Sequence, residues 1–367
     1  MTTAVPAAGR TRTLAVRLDS VGDVLLAGPA LRALAAGSEW LTLLAGPRGQ
    51  DAARLLPGVD EVLTWRCPWI DPEPDPVSPD DIRLLVDELG TRRFDRAVIF
   101  TSFHQTALPT ALVLRMAGVP WVSAISEDYP GSLLDVRHRA PDDLHEVERA
   151  LSLVRASGFE LPEGDDGRLA VQQQLPELGG LPGTPYVVVH PGTSVPARAW
   201  QADRMAATCR LLAARGHQVV VTGAPEEVAL TARTAGGVAL DLGGRTTLAE
   251  LATVLAGASA VVVGNTGPAH LAAAVGTHVV SLFAPTVPAV RWAPYGVPLV
   301  LLGDQAAPCR DTRATTCPVE AHPCLGVVTP EQVSSAVEQL GGVSDQRLPN
   351  RAQPAGVQPV LAARGIA

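Results

Sequence analysis

The sequence predicts an α/β chain of two similar halves, each a parallel sheet wrapped by helices, and three observations carry that prediction. Short apolar runs rich in β-branched residues alternate with segments of helical spacing along most of the chain. A Gly- and Pro-rich stretch, QQQLPELGGLPGTP, interrupts the alternation near the middle and reads as a linker. The pattern then restarts with YVVVHPG. A length of 367 residues suits about two domains. The expected division is therefore 12–176 and 184–341, with 342–367, of loop composition, as a mobile tail.

In the first half TLAVRL has the make-up of a buried strand, and DSVGDVLLAGPALRALAAG turns to helical spacing after Gly22. Leu25, Leu26, Ala30, Leu31 and Leu34 fall on one apolar face, with Pro29 as a kink or a restart. Further strands are expected at WLTLLAG, VDEVLTW and RAVIFTS, and helices at PDDIRLLVDELGTRR and from Leu108 to Ala117. Residues 137–158 read as one long helix closing this half. In the second half, helices are expected around MAATCRLLAARG, TTLAELATVLAGA and PAHLAAAVG, and a last short one near 330–340. Thr247 and Glu250 have capping-box spacing, and Gly257 suits the end of that helix. Strands fall at HQVVVTGAP, SAVVVGN and THVVSLFAP.

Composition narrows the function. Hydrophobic residues at 47% and charged residues at 18% supply two buried cores and argue against wholesale disorder. All 29 basic side chains are Arg, so any phosphate-binding cation grips oxygens as a planar fork. A formal net charge of −8 argues against a nucleic-acid partner. No apolar run of about 18 residues is long enough to span a membrane, and MTTAVPAAGRTRT lacks the apolar core of a secretory signal. A cytoplasmic location is expected, with room for peripheral contact with a membrane-borne acceptor. Five cysteines make no disulfide framework. Cys309, Cys317 and Cys324 gather around His322, but their spacing matches no standard zinc pattern, so a loop with reduced cysteines and no metal is expected.

Four strand-end turns carry candidate chemistry. In VVVGNTGPAHLAAAVG a strand ends at Gly264 and the chain turns through Asn265, Thr266 and Gly267 into a helix with Pro268 in its first turn. Such a helix start favours a phosphate, and Thr266 and His270 are placed to reach it. An ordinary capped helix with His270 as a packing residue fits the spacing equally well. HPGTSVPARAW also follows a strand: Gly192, Thr193 and Ser194 offer backbone and hydroxyl donors, and Arg198 a bidentate cation. Two anion-suited loops at the carboxyl ends of strands in one half point to a diphosphate. Glu227, after TGAPEE, is a candidate for a ribose hydroxyl, or simply a helix N-terminal acid. In the first half Asp23 stands at a strand-to-helix turn, either as a general base or as an acid that merely favours the helix dipole. No G-x-G-x-x-G follows the first strand, and no P-loop, nucleophile elbow or strand-end D-x-D is present.

RLDSVGDVLLAGPALRAL, HPGTS with Arg198 and Trp200, TGAPEE, and GNTGPAHLAAAVGT followed by VVSLFAPT together resemble the family-9 glycosyltransferases, the ADP-heptose:lipopolysaccharide heptosyltransferases and their relatives. The likeness runs from about residue 13 to 340, and the stretch from Cys317 to Cys324 resembles a cysteine-bearing loop of that family. The resemblance implies a GT-B fold, two Rossmann-like domains facing each other across a cleft. It further implies inverting, metal-independent transfer of heptose or a related sugar from a nucleotide-diphosphate donor held by the C-terminal domain. Under it Asp23 matches the general base, and Thr193, Ser194 and Arg198 match the diphosphate loop. Glu227 matches the acid on the donor nucleoside, and Thr266, Gly267 and His270 match the loop and helix around the phosphates and sugar. Asn265 stands where the lipopolysaccharide enzymes carry an Asp that contacts the heptose, and Arg198 where a Lys is usual. The acceptor implied is a hydroxyl of a glycan, a lipid-linked sugar or a small molecule. No cofactor is implied, because the nucleotide sugar, ADP-heptose in the named relatives, is a substrate. The alternatives are a nucleotide-sugar isomerase or hydrolase of the same fold, and a non-catalytic nucleotide-sugar-binding protein.

Overall fold

The computed structural model describes residues 11–183 and 185–342. The expected tail lies outside the described residues from 343 onward. The chain forms two compact units that divide between Gln172 and Gln173.

The first unit holds six strands, β1 Arg12–Arg17, β2 Trp40–Ala45, β3 Glu61–Thr64, β4 Arg96–Ile99, β5 Val122–Ile125 and β6 Val136–His138. They form one parallel sheet in the order β3-β2-β1-β4-β5-β6. The second unit repeats the plan with β7 Tyr186–His190, β8 Val219–Val221, β9 Leu240–Asp241, β10 Ala258–Gly264, β11 Val279–Leu282 and β12 Leu299–Leu302. Their order is β12-β11-β10-β7-β8-β9, again all parallel. Counted from its own first strand, each sheet reads 3-2-1-4-5-6, the doubly wound order in which the chain reverses direction between strands 1 and 4. In β7 every residue is buried, as sheets covered by helices on both faces demand. Each unit has its own apolar core, one around Leu14, Leu44 and Ile99, the other around Val187, Val262 and Leu282.

Local expectations hold where the capping chemistry is strong. The helix Val21–Leu26 ends, and Gly28–Ala36 begins with Pro29 in its first turn, so Pro29 marks a restart. Thr247 and Glu250 form the capping box, and Gly257 caps the far end. The single long helix expected over 137–158 is a misreading. Val136–His138 pairs as β6 beside β5, and the helix begins only at Glu146, after His145 accepts the Val147 N–H. Pro141 lies between them; it cannot donate to a helix and turns the residue before it away from helical angles. The short strands β5, β9 and β12 also went unread, β9 being two residues long. No helix among the described residues is long and apolar enough to cross a membrane.

Candidate functional site

The order of each sheet decides which loops meet. Ligands of such sheets bind beyond the carboxyl ends of the strands where the order reverses, between the loops after strands 1 and 4. In the second unit those are the loops after β7 and β10, and the two strands end in register, His190 beside Val263. Every site residue predicted for this unit except Glu227 lies on one of these two loops or on the helix that follows.

Arg198 sits in the short turn Pro196–Arg198, half-buried, and its Nη1 donates to the Asn265 carbonyl at 3.5 Å, spanning the two loops. Thr193 uses its hydroxyl locally, accepting the Val195 N–H at 3.3 Å, whereas Ser194 is exposed. Across from them the helix Gly267–Ala274 starts at Thr266, whose extended backbone precedes it and whose hydroxyl makes no capping bond. His270 is buried on the first turn. Asn265 is buried as well; its amide donates to the Ala284 carbonyl at 3.5 Å, and its Oδ1 has no hydrogen-bond partner among the described residues.

Glu227 comes from the neighbouring strand end and reaches the same place for a steric reason. Its Oε2 accepts the Ala224 N–H at 2.9 Å, and the carboxylate then lies over Gly192. A Cβ on Gly192 would stand 2.1 Å from Oε1 and 2.2 Å from Oε2, so only glycine leaves the acid room there. Gly192 thus acts first by seating Glu227. His190, two residues before Gly192 at the end of β7, is buried with Nδ1 3.0 Å from the Thr222 hydroxyl, and burial pushes its pKa down to about 4.

The cysteine-bearing segment braces the Arg198 turn from behind. Thr315 accepts the Ala197 N–H at 2.9 Å, His322 Nε2 meets the Ala197 carbonyl at 3.0 Å, and the Trp200 indole donates to Leu325 at 3.1 Å. All five cysteines are free, and among the described residues no group of three or more His, Cys, Asp or Glu is arranged to hold a metal ion. Burial, and then Cys309 beside it, pushes the Cys324 thiol up to about 12, so it stays protonated.

The first unit uses the equivalent position differently. β1 and β4 run in register, Val16 beside Ile99, and the loops after them converge on Asp23, at the third position of the helix Val21–Leu26. Its carboxylate accepts from Arg17 Nη2 at 3.0 Å and the Ser20 hydroxyl at 3.0 Å, and lies 3.4 Å from the Ser102 hydroxyl. The Asp23 side chain keeps 21% exposure, whereas Arg17 keeps 4%. Of these contacts, Arg17 ends β1 and Ser102 follows β4, so both come from the carboxyl end of the sheet. Arg17, Asp19, Ser102 and Gln105 were missed at the sequence level. An Arg closing an apolar strand with Asp two residues on was a legible hint, but Ser102 and Gln105 join only through the β1–β4 pairing.

Comparison with known proteins follows the same lines. Residues 82–322 match the profile of glycosyltransferase family 9 (heptosyltransferase). Lipopolysaccharide heptosyltransferase 1 of Pseudomonas aeruginosa is 28% identical over 374 residues, spanning 90% of this chain and 98% of its own. A family-9 glycosyl transferase from Veillonella parvula superposes with a TM-score of 0.73 at 17% identity, covering 92% of this chain and 99% of that one. An E. coli heptosyltransferase solved with ADP-2-deoxy-2-fluoro heptose gives 0.68 at 21% identity over 90% of this chain and 99% of its own. Paired six-stranded parallel sheets and these superpositions establish the GT-B class expected from the sequence.

Proposed function

The chain belongs to glycosyltransferase family 9, and from that premise we propose that it moves a heptose from ADP-heptose to a glycan hydroxyl by inverting displacement without a metal. Asp23 takes the proton of the acceptor hydroxyl. The oxygen attacks the anomeric carbon from the face opposite the diphosphate, a new C–O bond forms, and the bond to the phosphate oxygen breaks, its electron pair leaving with ADP. Negative charge then grows on the leaving phosphate, where Arg198 and the start of the helix Gly267–Ala274 supply a cation and a positive dipole end. Glu227 accepts from a ribose hydroxyl, and Thr193, Ser194, Thr266 and His270 bound the diphosphate and sugar. Asn265 offers the sugar an acceptor oxygen without a charge.

The observation that carries this proposal is the convergence, at the strand-order reversal of the second unit, of Arg198 with the loop that opens the helix at Gly267. The donor is taken from the relatives, one of which was solved with an ADP-heptose analogue. The test is turnover of ADP-heptose on lipopolysaccharide prepared without its heptose, followed as ADP release, with the anomeric configuration of the product read by NMR. Inverted configuration and a rate unaffected by EDTA are expected. Retained configuration, a rate abolished by EDTA, or no ADP release overturns the proposal.

A further inference from the structure

Asp23 is held through a chain of contacts rather than by one neighbour. Arg17 gives Nη2 to Asp23 Oδ1 at 3.0 Å, and its Nε lies 3.1 Å from Asp19 Oδ2 as an ion pair that is not aligned as a hydrogen bond. Asp19 Oδ1 accepts from Gln105 Nε2 at 2.6 Å, and Gln105 Oε1 accepts the Ser102 N–H at 2.9 Å. The Ser102 hydroxyl closes the circuit against Arg17 Nη2 at 3.0 Å. One buried guanidinium therefore ties the loop after β1 to the loop after β4 through the Ser102 hydroxyl, and on the β1 side it faces two carboxylates with different nitrogens.

We propose that Arg17 and Asp19 are positioning residues for the transfer reaction: Asp19 anchors Arg17, and the anchored Arg17 sets the orientation of the Asp23 carboxylate without either residue touching substrate. This rests on the assignment of Asp23 as the base. A planar fork can hold two acids in fixed directions, which a point-charge ammonium cannot. With Asp19 gone, the Nε edge has no carboxylate, and the guanidinium is free to grip Asp23 through two nitrogens and turn it from the acceptor. Arg17 in turn needs both acids, since a buried cation is tolerated only when paired. Burial alone lowers its pKa, and Asp19, Asp23 and Glu146 together more than reverse that. Burial and the nearby Asp23 raise Asp19, against the pull of Arg17.

Charged groups on the neighbouring elements also face this cluster. Glu146 and Arg149, on the helix Glu146–Ala156, line a small pocket with Arg17 and Asp23 and lie 3.7 Å apart. Cys67 lies near Asp19, but burial pushes its thiol up to about 12 and leaves it neutral. On the helix Gln50–Leu55, Asp51 and Arg54 pair with each other in solvent.

The experiment is the pH profile of kcat and of donor KM, with ADP-heptose and lipopolysaccharide prepared without its heptose, for wild type, Asp19→Asn, Asp19→Glu and Arg17→Met. In Asp19→Asn, kcat is expected to fall about 10- to 100-fold with donor KM unchanged, the scale of a misplaced reacting group. Its acidic limb moves down by about one pH unit, because a like charge is lost beside the base. In Arg17→Met the limb moves up, because the opposite charge is lost. Asp19→Glu keeps the limb near its wild-type position while kcat stays low. A purely structural role gives lower melting temperatures without these opposed displacements. Should Arg17→Met fail to fold, the two Asp19 variants decide alone. Wild-type kcat and an unmoved limb in Asp19→Asn overturn the proposal. Asp23→Asn separates the two levels. If it retains wild-type turnover, the base assignment fails. If it is inactive while the Asp19 variants behave as wild type, only the positioning role fails.

Discussion

The two units share a strand order and a reversal point, yet they place opposite chemistry there. In the first, the segment after β1 brings two acids, Asp19 and Asp23, around one buried arginine, and the loop after β4 adds Ser102 and Gln105. In the second, the loops after β7 and β10 bring a half-buried arginine against a backbone carbonyl and a helix start, while Glu227, from the end of β8, is held by the Ala224 N–H. A carboxylate held by donors suits proton removal; a cation beside a helix start suits a leaving diphosphate. The difference teaches that the fold supplies only the meeting place. Under the proposed function the charges on four loop segments divide the labour, and the same topology serves the base and the leaving group.

Gly192→Ala strikes that division hardest on the second unit. The new methyl meets the Glu227 carboxylate, which is the far end of a flexible side chain, so the protein folds but the acid is displaced. ADP affinity measured by calorimetry is expected to fall by about tenfold, which is 1.4 kcal/mol. Wild-type ADP affinity in Gly192→Ala would remove Glu227 from the donor site.

A smaller effect separates the units by stability. His190 lies in the second unit with its folded pKa down at about 4. The native ring is neutral while the unfolded chain takes up a proton near pH 6.5. Its contribution to stability is therefore whole above about 6.5 and is lost as pH falls toward 4, by up to about 3 kcal/mol. Burial also lowers His138 in the first unit, so its smaller effect has the same sign. Denaturant melts at pH 7.5 and 4.5 check this. Wild type should lose stability on acidification, and His190→Gln should lose less. A His190→Gln slope equal to wild type contradicts the assignment of the effect to that ring.

Legibility in the sequence differed between the units for a physical reason. The residues proposed to hold the donor are contiguous in the chain, 192–198 and 265–270, and each stretch follows an apolar strand, so glycines, proline and polar residues marked them at once. Glu227 was found too, but not the fact that Gly192 makes its seat, which depends on strands β7 and β8 lying side by side. Asp23 was legible as a turn acid, whereas Ser102, which meets Asp23, and Gln105, which meets Asp19, lie about 80 residues away and arrive only because β4 pairs with β1. The helix misread over 137–158 fails in the same way. Its residues do carry a helical period beyond Glu146, but the edge pairing of Val136–His138 with β5 is a long-range contact that periodicity cannot register.

The central claim, that Asp23 serves the proton and Arg198 the leaving diphosphate, is tested most directly by reading ADP affinity and turnover in the same two variants. Arg198→Ala is expected to weaken ADP about tenfold or more, the loss of one charge-assisted contact. Asp23→Asn is expected to bind ADP as wild type does while turnover falls by about 10² or more. The claim is contradicted if Asp23→Asn weakens ADP as much as Arg198→Ala does, or if it turns over at the wild-type rate.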